Sequence, residues 1–149
     1  MKSVLLLTIC LILWPNFVTN ATDLTVALIT DEEGALQEAP LLRYRGIELN
    51  DGPDIRIVEP DTNMEHKSPI KILIQFIPRE GREIDLSKFK VEYLKLITID
   101  LTSRILPYTN KEMVKVDKAE MPRGKHKIKI TIGDTQGGIT RRVVELKII

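Results

Sequence analysis

In 149 residues the chain has one cysteine, Cys10, one tryptophan, Trp14, and two histidines, His66 and His126. A lone cysteine rules out an internal disulfide framework and a thiolate metal site, so stability has to come from packing. Aromatic residues make up only 5% of the chain, which implies an aliphatic core and leaves little material for the aromatic platforms on which sugars and flat ligands stack. Surplus charge is missing too. The 22 basic and 21 acidic residues nearly cancel and are interspersed, so no bulk field recruits nucleic acid or an anionic membrane. Nucleophilic catalysis finds no G-x-S-x-G elbow and no serine-histidine-acid grouping near a glycine-rich turn, and no phosphate-binding glycine loop is present.

The one long hydrophobic run is Val4-Leu5-Leu6-Leu7-Thr8-Ile9-Cys10-Leu11-Ile12-Leu13-Trp14. Lys2 precedes it, Pro15-Asn16 breaks it, and it is shorter than the roughly 20 apolar residues a membrane span needs. Residues 1–21 therefore read as a cleavable signal peptide, with Thr19-Asn20-Ala21 supplying small residues for a cut after Ala21 and Ala27 as a weaker second site. Cleavage removes Cys10, Trp14 and Lys2 together, leaving a neutral, cysteine-free domain in the periplasm or outside the cell, with no membrane span.

Residues 22–50 show no sustained period and read as an extension or linker, with room for one helical turn ending near Pro40. From residue 53 the pattern becomes short runs at period two, which is the signal of antiparallel β structure. Ile70, Ile72, Ile74 and Phe76 share one strand face, and Ile128, Ile130 and Ile132 share another. Phe89, Val91 and Tyr93 alternate, the pattern slips at Leu94-Lys95-Leu96, and Ile97, Ile99 and Leu101 resume it, which predicts two strands or one bent strand. Further strands are expected at Ile55–Glu59, Met113–Lys118 and Arg141–Ile148. Asp134-Thr135-Gln136-Gly137-Gly138 should close a hairpin. About seven strands with one dry face each predict an all-β, two-sheet sandwich over residues 53–149.

The stretch Met121-Pro122-Arg123-Gly124-Lys125-His126, running through Ile128, Ile130 and Ile132 to Asp134-Thr135-Gln136-Gly137, resembles the ending of immunoglobulin-like domains in exported bacterial proteins. There a P-x-G-x-H turn leads into a long strand that closes on D-x-x-G. Ser68-Pro69-Ile70-Lys71-Ile72, after Glu59-Pro60-Asp61, fits an early core strand of the same plan. The resemblance covers roughly residues 53–149 and implies an immunoglobulin-like sandwich of the kind used for adhesion, spacing or accessory binding. The paired cysteines and core tryptophan of antibody domains are absent.

Candidate polar residues are few. His126 falls in phase with Ile128 at the mouth of a strand and is expected to pack at the core rim. His66 lies in a polar loop, and without a second histidine at ligand spacing neither one predicts a metal site. Asp134 is expected to hydrogen-bond its own turn rather than bind calcium. Asp100 is expected in a partly buried salt bridge with Arg104 or as a strand-end cap. Lys67, Lys71, Arg123, Lys125, Lys127, Lys129, Arg141, Arg142 and Lys147 would form a basic stripe if the last strands pair, either as a polyanion surface or as a solvated sheet face.

No catalytic, cofactor-binding or metal residue is assigned, and no cofactor is expected. The leading expectation is an exported, non-catalytic module, immunoglobulin-like in fold, that binds another envelope or extracellular protein or an envelope surface, without nucleic acid. A glycan or small-molecule binding accessory domain using Tyr108 near Pro107 and Asn110 is the alternative, and a cryptic hydrolase the third.

Overall fold

The computed structural model describes residues 24–39 and 50–149; the leader, its cleavage site and Pro40 lie outside them. Among the described residues, nine strands form two sheets. The first contains β1 (Val26–Ala27), β2 (Asp54–Glu59), β4 (Ile70–Ile77) and β7 (Met113–Glu120), in the order β1-β7-β4-β2. The second contains β3 (Glu65–His66), β5 (Ile84–Tyr93), β6 (Ile99–Asp100), β8 (Gly124–Asp134) and β9 (Ile139–Ile148), in the order β3-β9-β8-β5-β6. The long strands pair antiparallel, while the short β1 and β3 join their sheets parallel to β7 and β9.

The period-two faces become the core. Ile70, Ile72, Ile74 and Phe76 of β4 are buried with Ile128, Ile130 and Ile132 of β8, and Val144, Leu146 and Ile148 of β9 complete the layer. Phe76 and Phe89 meet edge to face at 5.7 Å, one aromatic from each sheet. The architecture is that of an all-β sandwich with one aliphatic core. Among the described residues, helix is confined to α1 (Asp31–Gly34), α2 (Thr102–Ile105) and a 3-10 turn at Leu106–Tyr108.

Two local expectations change. The run Ile97–Leu101 yields only the two-residue β6, and the chain then turns into α2. Leu101 points into the core, whereas Ile97 stands in solvent. The turn is held because Thr102 satisfies the β5 backbone in place of a longer partner strand: its Oγ1 accepts from Val91 N at 3.0 Å. Secondly, among the described residues of the early segment the helical turn lies at Asp31–Gly34. A reciprocal capping box sets it there, with Thr30 Oγ1 accepting from Glu33 N and Glu33 Oε2 accepting from Thr30 N.

Residues 24–39 are built into the sandwich. Val26 pairs with Ala119, Leu28 and Ile29 are buried in the core, and both donate their backbone N–H to Glu120 O. The Arg104 guanidinium grips Glu33 with two 2.7 Å bonds and donates a third to Leu28 O at 2.8 Å.

Candidate functional site

The slip in alternation at Leu94-Lys95-Leu96 produces the most enclosed polar cluster. Tyr93, the last residue of β5, is fully buried and its hydroxyl lies 2.9 Å from His126 Nδ1; His126 Nε2 lies 2.8 Å from Pro122 O. A carbonyl can only accept, so Nε2 carries the proton and Nδ1 accepts from Tyr93. His126 is therefore held as one neutral tautomer with both ring nitrogens occupied. Burial lowers its pKa, and the nearby Lys95 charge adds to the effect. Burial likewise pushes the Tyr93 hydroxyl up.

Lys95 is buried beside this pair, its ammonium 5.3 Å from the Tyr93 ring centroid. Burial opposes its charge, but an ion pair with Glu38 and contact with Tyr93 outweigh that and raise its pKa. Glu38 belongs to the early segment, whose backbone also bridges to Lys95 and whose Gln37 O accepts from Leu96 N. The sequence signal for Lys95 is a lysine between two leucines where the strand pattern breaks. Its partner, 57 positions away, has no signal.

Asp134 closes the β8–β9 hairpin as an Asx-type turn. Its Oδ1 accepts from Gln136 N at 2.9 Å and Gly138 N at 2.8 Å, and Arg82 lies 3.2 Å from Oδ2. Although burial acts against the charge, these bonds hold its pKa below the ordinary aspartate value. Gly137 takes φ of +95° in the turn, and Gly138 presses on Asp51 and Gly52, where a Cβ would come within 2.7 Å of Asp51 O. Three connections converge at this end of the sandwich: residues 78–83, residues 109–112 and the hairpin. Thr135 N donates to Glu83 O, Gln136 Nε2 to Gly81 O, and Lys111 Nζ pairs with Glu83.

Asp100 and Arg104 do not meet. Asp100 is exposed and caps the backbone, accepting from Thr102 N at 2.8 Å, and the Thr102 hydroxyl together with this backbone bond lowers its pKa. Arg104 finds Glu33 instead, because the early segment passes over α2. His66 Nε2 lies 2.7 Å from Asp61 O, and Tyr108 is part-buried against the core rather than displayed. Among the described residues no group of three histidine, cysteine or acidic side chains could hold a metal ion, and no helix is long and apolar enough to cross a membrane.

Four lysines of the basic stripe have acidic partners. Lys71 pairs with Glu59, Lys127 with Glu145, Lys129 with Glu92 at 2.8 Å, and Lys147 with Glu65. The arginines at the start of β9 stand apart from this pattern. Arg141 and Arg142 border a cleft of about 370 Å³ between β9 and the edge strand β2, together with Arg56, Asn50, Asp54 and Thr140. Arg142 Nη1 crosses the cleft to Ile55 O at 2.6 Å.

No family model, no curated protein and no solved structure matches the chain.

Proposed function

We propose that the chain is an exported, non-catalytic, immunoglobulin-like module that binds another envelope or extracellular protein or an envelope surface through the loop end of its sandwich. The order β7-β4-β2 in one sheet and β3-β9-β8-β5 in the other supports the immunoglobulin-like reading. So does the division of the leading edge, with β2 in the first sheet and β3 parallel to the last strand in the second. The leader argues for export, and Val26 bears on its boundary: a cut after Ala27 would remove a buried residue paired with β7, so cleavage after Ala21 suits the fold.

The observation that carries the binding role is the braced loop end. Asp134, Arg82, Glu83 and Gln136 lock residues 78–83 to the hairpin while leaving Glu80 and Gln136 exposed. A fixed loop surface loses little conformational entropy on binding. Sheet edges offer less, because side chains occupy them: Asn50 and Asp51 accept from Arg141 N and Ile139 N of β9, and Asp85 and Thr102 serve β5. The buried titratable groups Lys95, His126 and Asp134 are all engaged in bonds that hold the fold.

Photo-crosslinking residues placed at Glu80 and Gln136 in the native host should give a discrete adduct, while Asp117, on the exposed face of β7, should give none. An adduct from Asp117 alone would move the surface to the sheet face. No adduct from any of the three would sink the binding role.

A further inference from the structure

We infer that the cleft between β2 and the start of β9 is a binding site for a small oxyanion, a carboxylate or phosphate group carried by a ligand. The inference goes beyond the loop-end reading and does not depend on it. Three arginines, Arg56, Arg141 and Arg142, are among the residues that line the cleft, against the single acid Asp54. Several strand lysines elsewhere are matched to acids, as in the pairs Lys71–Glu59, Lys127–Glu145 and Lys129–Glu92. The cleft thus carries a local excess of positive charge in a molecule whose formal net charge is only +1.

Geometry and burial sharpen the point. Arg142, exposed near the start of β9, is tied to Ile55 O of β2, which fixes its planar fork across the cleft. A guanidinium held this way presents its remaining N–H groups in the parallel arrangement that two oxygens of one anion accept. Beside it, Thr140 is only 6% exposed and its Oγ1 is buried with no hydrogen-bond partner. A buried hydroxyl without a partner forfeits its hydration for nothing in return. An oxyanion in the cleft would accept from this hydroxyl and from the arginines. The volume of about 370 Å³ suits a small ligand or the acidic end of a larger one.

The test is a backbone-amide NMR titration of the full chain with sodium phosphate and, separately, sodium acetate, at constant ionic strength against a sodium chloride control. Saturable shifts confined to Asn50, Asp54–Arg56 and Thr140–Arg142 are expected from at least one of the two anions. The tighter one identifies whether the ligand group is phosphate or carboxylate. The double variant Arg56→Gln, Arg141→Gln should weaken binding by about tenfold or more, whereas Lys127→Gln should leave it unchanged. Thr140→Val, which removes the unpartnered hydroxyl at nearly constant volume, should weaken binding while raising the melting temperature of the free protein. The proposal is overturned if neither anion shifts these amides beyond the chloride control, if the shifts follow the lysine faces instead, or if the double arginine variant binds as well as the parent.

Discussion

Tyr93 and His126 show how much one hydroxyl can matter in a closed core. Tyr93→Phe would keep the ring and its packing but strand His126 Nδ1 without a donor. The expected loss is about 1–3 kcal/mol in denaturant unfolding. Adding His126→Leu should recover part of it, because both partners of the bond are then gone. His126 also sets the onset of acid sensitivity. Its native pKa lies below the ordinary value of 6.5, so the unfolded chain takes up its proton first. The stability His126 confers is complete above pH 6.5 and falls as the pH drops from there toward its depressed native pKa. Lys95, Glu38 and Tyr93 are the charged and titratable neighbours facing it. Melting curves followed by circular dichroism should show the decline beginning below pH 6.5 in the parent and missing in His126→Leu. An unchanged onset in that variant would assign the decline to other groups.

At the scale of elements, the early segment decides whether the first sheet has a proper edge. Were residues 24–39 a tether, truncating Leu28 would cost less than about 0.5 kcal/mol, as surface changes usually do. Leu28 is instead 2% exposed and lies in the core, so Leu28→Ala should cost about 2–5 kcal/mol. Arg104→Ala should cost about 1–2 kcal/mol, since the Arg104–Glu33 bonds are only partly shielded from water. It should also speed proteolytic cutting within residues 24–39 under native conditions. Equal cutting rates in parent and variant would mean that β1 and α1 hold without that clamp. The same scale explains where the strand reading failed. The period-two pattern at Ile97, Ile99 and Leu101 is real, but β6 pairs with β5 only at Glu92 and Tyr93, and the chain then enters α2.

For the whole molecule, the proposed export and the lack of cysteine lead to direct checks. Protein recovered from the host's export compartment should begin at Thr22; a start at Leu28 would mean that β1 had been removed, and an intact Met1 would refute cleavage. A reducing agent should leave the melting temperature unchanged, because Cys10 is the only cysteine in the chain and a single thiol has no intramolecular partner. A shift in the melting temperature on reduction would indicate a disulfide between two chains.

The residue pattern by itself determined the aliphatic composition of the core, the positions of the long strands and the hairpin at Asp134, because these rest on short-range regularities: period two, turn chemistry, glycine conformation. Asp134 was legible for that reason, since its principal partners, Gln136 and Gly138, lie within four residues. Only the tertiary structure decided that Glu33 takes Arg104 from Asp100, that Glu38 covers Lys95, that acids pair with Lys71, Lys127, Lys129 and Lys147, and that Arg56, Arg141 and Arg142 line one cleft. Those pairings join positions far apart in the chain, with separations such as 71 for Glu33 and Arg104 and 57 for Glu38 and Lys95. No local rule encodes them. They follow from which strand edges and loops the closing of two sheets over one core brings together.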